Sequence, residues 1–242
     1  MGAVKQLISS KVISEGLRYI EKDPMENMPK LLDWAEKIIV RDNHKRMLET
    51  FRKVVDDPES NWYKLIERYF DELSPETRKK FLINYMVNAG MVGIPIQYKM
   101  MEKYNCNVPW AILIDPTSAC NLNCTGCWAA EYDRTDSLSY EILDRVIREG
   151  KNLGIYMYIF SGGEPLVRKK DLIKLAKEHS DCSFLSFTNA TLVDEELAKT
   201  LGEIGNFGLA ISVEGFEEET DMRRGKGTYK KVIEAMDLLK KA

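Results

Sequence analysis

The sequence has 242 residues, of which 44% are hydrophobic and 30% charged, with a formal net charge of −3. It is long enough for one large domain or two small ones, and its charge provides no basic surface of the kind that nucleic acid requires. Residues 1–16 lack the unbroken apolar core of a secretory peptide, and the most apolar stretch, 81–101, is interrupted by asparagines, glycines and a proline. We therefore expect a cytoplasmic protein without a membrane span.

The first hundred residues carry a helical pattern throughout. Asn27 is predicted to begin a helix with Pro29 in its first turn, and Ser74 to cap another helix. The stretch 81–101 predicts a buried helix followed by an exit loop. Apolar residues recur at helical spacing, or continue a helical pattern, in 4–20, 27–39, 42–55 and 62–73. We predict an all-helical accessory domain over residues 1–107, and no motif in it indicates a function.

From Trp110 the pattern changes to strands that alternate with helices. The predicted strands cover residues 110–114, 155–160, 183–187 and 207–213. The predicted helices begin after the capping residues Ser139, Asp194 and Thr228, and one more covers residues 170–179. This alternation predicts an α/β fold of four parallel βα units over residues 108–242, with functional residues at the carboxyl ends of the strands.

Three cysteines follow the first predicted strand. Cys120, Cys124 and Cys127 have the spacing C-x3-C-x2-C, which is too short for unstrained disulfides and is better explained by metal ligation through thiolates. Iron–sulfur clusters normally take four cysteines, yet Cys106 and Cys182 have no ligand spacing of their own. Three ligands suggest a cluster with one open iron, where a substrate or cofactor binds.

A zinc knuckle, or a chance grouping of buried cysteines, is the alternative interpretation. A structural zinc site needs a fourth thiolate or imidazole ligand. The two histidines, His44 and His179, lie far from the cysteines in sequence, although the fold could bring one of them near.

The cysteine spacing resembles the signature of the radical S-adenosylmethionine (SAM) family, in which three cysteines hold a [4Fe-4S] cluster and SAM chelates the fourth iron. The turn Gly162-Gly163-Glu164-Pro165, after the second predicted strand, is similar to the GGEP motif of that family. The resemblance implies that Glu164 and the backbone of the two glycines hold the amino group of the SAM methionine. Glycine lets a ligand approach the backbone closely, and a carboxylate suits an ammonium group.

Three further positions resemble family elements. The turn that starts at Thr188 resembles a threonine-asparagine-glycine turn, with Ala190 in place of the glycine, and Ser212 matches a serine near the SAM ribose or carboxylate. The segment 221–225 resembles a D-x-x-R-G element, which implies that Arg224, with Arg223 beside it, faces the SAM carboxylate. Without the cysteines, these residues would indicate an ordinary turn and a surface salt bridge.

The resemblance covers residues 110–242 and implies a radical SAM enzyme. In such an enzyme the cluster cleaves SAM reductively to methionine and a 5′-deoxyadenosyl radical, which abstracts hydrogen from a substrate that the sequence does not identify. The electron would come from a low-potential donor of the flavodoxin or ferredoxin type. The alternatives are a non-catalytic iron–sulfur protein for electron transfer or oxygen sensing, and an inactive fragment of a longer enzyme.

The family's catalytic core has more βα units than the four predicted here. The sequence therefore predicts a partial (β/α) barrel whose fourth strand leaves an open apolar edge. A cavity that shields a carbon radical from solvent needs further walls. We expect either a truncated piece of a longer protein, with its C-terminal part missing, or closure by a second copy in a dimer.

Overall fold

The computed structural model describes residues 15, 16, 18–38, 42–129 and 133–242. The chain divides into two units, Met1–Lys79 and Lys80–Ala242. This division lies before the predicted boundary between residues 107 and 108. Most of the predicted helix over residues 4–20 lies outside the described residues.

The first unit is built from the predicted helices. They are α1 (Pro24–Ile38), α2 (Asp42–Val55) and α3 (Asn61–Glu72), followed by α4 (Pro75–Leu82), which starts in the first unit and ends in the second. The Ser74 hydroxyl accepts the Thr77 N–H at 3.2 Å, as predicted for a cap. The predicted start of α1 at Asn27 is wrong, because the Asp23 carboxylate accepts the Glu26 N–H at 3.1 Å and the helix begins three residues earlier.

The second unit contains a parallel four-stranded sheet in the order β1-β2-β3-β4. Its strands are β1 (Ala111–Ile114), β2 (Met157–Phe160), β3 (Ser183–Thr188) and β4 (Phe207–Ile211). The helices between and after them are α6 (Tyr140–Asn152), α7 (Lys169–Glu178), α8 (Glu195–Ile204), α9 (Glu217–Arg224) and α10 (Thr228–Lys241). A short 3-10 helix, Pro165–Arg168, precedes α7. The predicted α/β fold class with four parallel strands is confirmed.

Two of the three predicted caps in this unit form. The Ser139 hydroxyl accepts the Ile142 N–H at 3.3 Å, and the Asp194 carboxylate accepts the Leu197 N–H at 2.8 Å. The predicted Thr228 cap is wrong, because Gly227 precedes α10 with a φ of 82° and Thr228 is the first helical residue. The helix α9 was not predicted, since its eight residues are mostly charged and lack an apolar period.

The core lies on one face of the sheet. Tyr158, Phe160 and Phe184 are buried there, and the ring centroids of Phe160 and Phe184 are 5.8 Å apart in a stacked pair. The opposite face carries the exposed side chains of Leu113 and Phe187. This face of the sheet is therefore partly exposed near the carboxyl ends of β1 and β3.

Residues 81–101 are helical throughout, so the predicted exit loop is wrong. A π-helix, Ile83–Gly93, follows α4 and leads directly into α5 (Ile94–Tyr104). Pro95 lies at the junction where the π-helix ends and α5 begins, and the chain stays helical through it. Among the described residues, no helix is long and apolar enough to cross a membrane.

Three buried amides, which we name the amide ladder, join these helices to the sheet. They are Asn84, Asn88 and Gln97. Each donates its side-chain N–H to backbone carbonyls at distances of 2.8–2.9 Å. The acceptors are the carbonyls of Gly154, Ser180, Asp181 and Cys182, which precede β2 and β3. The π-helix and α5 therefore cover the amino ends of these strands, which is why the unit begins at Lys80.

Candidate cofactor site

The candidate site lies at the carboxyl edge of the sheet, where the cysteine loop (residues 115–129) follows β1. This loop continues the parallel pairing of β1 with β2 beyond the strands themselves. Three successive backbone bonds of 2.8–3.0 Å join them: Ser161 N–H to Ile114 O, Gly163 N–H to Thr117 O, and Glu164 N–H to Ala119 O. The predicted glycine turn and the cysteine loop are thus parts of one backbone framework.

Gly162 and Gly163 permit this close approach. A Cβ on Gly163 would lie 2.3 Å from the Ala119 carbonyl oxygen and 2.5 Å from that of Ser118. A Cβ on Gly162 would lie 2.8 Å from the Thr117 oxygen, and the φ of Gly162 is +101°. In the structure, the neighbour that requires glycine is therefore the cysteine loop. The contact between SAM and the backbone of Gly162 and Gly163 stays a prediction.

Glu164 connects the ends of β2 and β3. Its side chain is buried, with only 1% of its surface exposed. One carboxylate oxygen, Oε1, accepts the Leu166 N–H at 3.0 Å and the Thr188 hydroxyl at 2.7 Å. The other, Oε2, accepts the Asn189 N–H at 2.8 Å. The predicted residues Glu164 and Thr188 are thus brought together.

The surroundings of Glu164 act on its pKa in opposite directions. Burial is the largest effect and raises the pKa, while the three hydrogen bonds and the Arg224 guanidinium lower it; the net direction is upward. A carboxylate oxygen has room for a second hydrogen bond, and only one protein donor to Oε2 is described. Binding of an ammonium group by Glu164 stays a prediction, and Oε2 is the atom with the capacity for it.

A second connection, which the sequence did not predict, joins the cysteine loop to the turn after β3. Asn189 donates its amide N–H to the Asn121 side-chain oxygen at 2.9 Å, and Asn121 donates to the Thr191 hydroxyl at 2.7 Å. Ala190, between them, has a φ of 57°, a conformation that favours glycine. Asn121 directly follows the first cysteine, but an asparagine in a loop carries no signal that would identify its partner.

The three predicted ligand cysteines are half-buried free thiols in the cysteine loop. Cys106 is exposed and Cys182 is buried in the core, so neither shares their environment. Among the residues that the structure describes, no group of three or more His, Cys, Asp or Glu side chains is arranged to hold a metal ion. The structure therefore places the three thiols in one loop without gathering them into a finished ligand set.

Electrostatic coupling nevertheless links the three thiols. Burial raises the pKa of Cys124, the neighbouring Cys120 and Cys127 raise it further, and the guanidinium groups of Arg224 and Arg223 oppose this rise. On balance the pKa of the free Cys124 thiol is raised. The two guanidinium groups beside the thiols nevertheless suit an anionic thiolate-ligated cluster, because they offset its negative charge. On this chemistry, the donor set fits the iron–sulfur cluster that the family resemblance implies.

Ser212 and Arg224 line one cleft of about 320 Å³ beside β4. Glu214 also lines this cleft. Its Oε1 accepts hydrogen bonds from Nε and Nη2 of Arg224, at 2.9 and 2.5 Å. Glu214 stands at the end of the fourth predicted strand, but the sequence assigns it no role; the hydrogen bonds from Arg224 and Arg223 hold its pKa low. The structure therefore brings Ser212 and Arg224 into one cleft, where Arg224 already has a carboxylate partner, and their contacts with SAM stay predictions.

The two adjacent arginines take different positions. The Arg224 side chain is 14% exposed and faces the cleft, whereas the Arg223 side chain is 43% exposed. Arg223 bonds to the cysteine loop at Thr125 and to the second oxygen of Glu214. Of the two arginines, only Arg224 lines the cleft that contains Ser212.

Comparison with known proteins gives several matches. The sequence model of the Radical SAM superfamily matches residues 114–242. An uncharacterized protein of Archaeoglobus fulgidus is 33% identical over 184 residues, which are 74% of this chain and 40% of the relative. The Fe-coproporphyrin III synthase of Methanosarcina barkeri is 37% identical over 118 residues, which are 47% of this chain and 29% of the relative.

This chain thus spans less than half the length of these two relatives. Among solved structures, Streptococcus suis SuiB superposes with a TM-score of 0.50 at 18% identity, covering 74% of this chain and 41% of SuiB, which supports the fold. The family match covers more than half of the chain, including the cysteine loop and all the elements of the site. The chain belongs to the Radical SAM superfamily.

Proposed function

We propose that this chain provides the cofactor-binding part of a radical SAM enzyme, in which Cys120, Cys124 and Cys127 hold a [4Fe-4S] cluster. The observation that carries the proposal is the position of the three thiols: they lie on one loop at the carboxyl edge of the sheet, beside two guanidinium groups. Family membership of residues 114–242 supports the same conclusion.

The side chains around the loop suit the polar groups of a SAM molecule. Ser212 and Arg224 offer a hydroxyl and a guanidinium to the carboxylate or ribose, and Oε2 of Glu164 offers an acceptor to the amino group. When bound, the cluster supplies the electron that cleaves SAM to methionine and a 5′-deoxyadenosyl radical. The protein's part is to orient SAM and the substrate and to exclude water, and the sheet contributes apolar side chains such as Leu113 and Phe187.

The substrate and the electron donor depend on the whole protein. The name of the Methanosarcina barkeri relative describes that protein, and the match covers only 29% of its length. Within one fold, substrates are set by loops and added segments rather than by the shared core. We propose a low-potential flavodoxin or ferredoxin as the electron donor and leave the substrate class open.

Anaerobic reconstitution with iron and sulfide tests the proposal. Iron content and thiolate-to-iron absorption are expected to be lost when Cys120, Cys124 or Cys127 is replaced by alanine, and to persist in Cys106→Ala and Cys182→Ala. Equal loss in all five variants would refute the ligand assignment. The reaction is tested by incubating the loaded full-length protein with SAM and dithionite and measuring 5′-deoxyadenosine. If the full-length protein binds the cluster and SAM but never forms 5′-deoxyadenosine, the enzyme hypothesis fails.

A further inference from the structure

We infer that Arg223 is a positioning residue that holds the cysteine loop ready for the cluster, and that it is not a SAM ligand. The inference rests on the proposed function for the identity of the cluster. Its basis is a reciprocal contact between Arg223 and Thr125, two residues that are 98 positions apart in sequence.

The contact holds the cysteine loop at Thr125, because both backbone groups of this residue bond to Arg223. The Thr125 N–H donates to the Arg223 carbonyl at 2.8 Å, and the Arg223 Nε donates to the Thr125 carbonyl at 3.3 Å. Thr125 follows Cys124 and stands two residues before Cys127. Because both of its backbone groups are bonded to one neighbour, the turn that connects these two cysteines has a fixed orientation at the end of α9.

Glu214 holds the two arginine side chains in separate positions. Its Oε2 accepts a hydrogen bond from Nη1 of Arg223 at 2.6 Å, and its Oε1 accepts hydrogen bonds from two nitrogens of Arg224. The Glu214 backbone N–H is itself held by the Thr220 hydroxyl at 3.2 Å. With one guanidinium group on each oxygen, Arg224 is kept in the cleft and Arg223 is kept against the cysteine loop.

Both geometry and charge would favour the cluster, but geometry carries more weight. The Arg223 side chain is 43% exposed, so solvent screens its attraction to the thiolates. Groups that orient metal ligands without touching the metal typically change metal affinity by about 10- to 100-fold when they are removed. We expect an effect near the lower end, because the backbone bond from Thr125 to the Arg223 carbonyl does not depend on the side chain.

The experiment compares iron retention in wild type, Arg223→Gln, Arg223→Lys and the control Arg145→Gln, after anaerobic reconstitution. Arg145 is a suitable control because it lies on α6, is 70% exposed and pairs with Glu149 on its own helix. When an iron chelator is added, Arg223→Gln is expected to lose iron about tenfold faster than wild type. The control Arg145→Gln is expected to lose iron at the wild-type rate. Arg223→Lys is expected to lose iron faster than wild type as well, since one ammonium group cannot replace both bonds of the guanidinium. Wild-type retention in Arg223→Lys would show that charge alone matters and would overturn the positioning role.

Two further measurements separate this inference from its alternatives. The dissociation constant of SAM, measured by equilibrium binding to loaded protein, is expected to be unchanged in Arg223→Gln; a large rise would make Arg223 a SAM ligand and overturn the inference. Amide hydrogen exchange in metal-free protein is expected to be faster in the cysteine loop of Arg223→Gln, with an unchanged urea midpoint. If wild type itself takes up no cluster, the proposed function fails, whereas equal iron loss and equal loop exchange in wild type and Arg223→Gln would refute the positioning role alone.

Discussion

Replacing Gly163 by alanine should destabilise the protein, because the added methyl group would collide with the backbone of the cysteine loop. The added Cβ would lie 2.3 Å from the Ala119 oxygen, whereas ordinary contact begins at 3.4 Å, so the cysteine loop must move by about 1 Å. Overpacking of this kind costs about 1–3 kcal/mol. The movement also strains the bonds to the Thr117 and Ala119 carbonyls, at about 1 kcal/mol each.

The net cost is smaller because glycine has more freedom than alanine in the unfolded chain. That difference favours alanine by about 0.4–1 kcal/mol, which leaves a net loss of about 2–4 kcal/mol in the free energy of unfolding. Gly208→Ala is the matched control: on β4 its Cβ would meet the Leu185 side chain at 3.7 Å, an ordinary contact.

Urea unfolding, followed by far-ultraviolet circular dichroism, measures both variants. Gly163→Ala should have a lower midpoint with an unchanged slope, and Gly208→Ala should stay within about 1 kcal/mol of wild type. If the two variants were equally stable, the close approach of the glycine turn to the cysteine loop would be wrong.

Two further predictions concern buried ionisable groups. Since burial raises the pKa of Glu164, the native state keeps this proton to a higher pH than the unfolded chain does, and the free energy of unfolding falls as pH rises from the ordinary glutamate pKa through the raised one. The difference in stability between wild type and Glu164→Gln, measured by urea unfolding across pH 4–8, should shift in favour of the variant over that window; a pH-independent difference would contradict this. Burial also raises the pKa of Cys182, so a thiol reagent at about pH 8 should modify the exposed Cys106 quickly and Cys182 only after unfolding, which mass spectrometry detects; equal rates would contradict the burial of Cys182.

Local signals in the sequence predicted local structure well. Ser139 and Asp194 were predicted as caps because a short polar side chain can bond to a backbone N–H three residues ahead, and this depends on adjacent residues alone. The strands were predictable from adjacent residues as well, because a short apolar run between turns indicates a buried strand. Thr228 was predicted wrongly because Gly227 can take the left-handed conformation that starts α10 without a side-chain cap.

Contacts between distant residues were not predictable in the same way. The position of Glu164 after a glycine pair indicated a functional turn, but nothing in the sequence identified Thr188 and Asn189 as its bonding partners. The role of Glu214 at the end of β4 was not predictable, because it depends on the helix α9, which is too charged to be recognised from apolar spacing. The strand ends that carry the site were predictable, while the hydrogen bonds among the loops depend on the folded geometry.

The amide ladder determines the smallest piece of this chain that should fold cooperatively. A fragment that starts at residue 108 would lack Asn84, Asn88 and Gln97, and their acceptor carbonyls would lose these hydrogen bonds, although the Cys182 carbonyl would keep the bond from Asn206. The loss costs about 1–3 kcal/mol for each carbonyl that is left without a donor and that water does not reach. It would also uncover the core residues of the sheet unit that form one cluster with Ala89. The π-helix and α5 should therefore open together with the sheet in a single exchange event, and a transplant of this cofactor-binding region into another protein should carry residues 80–242 as one piece.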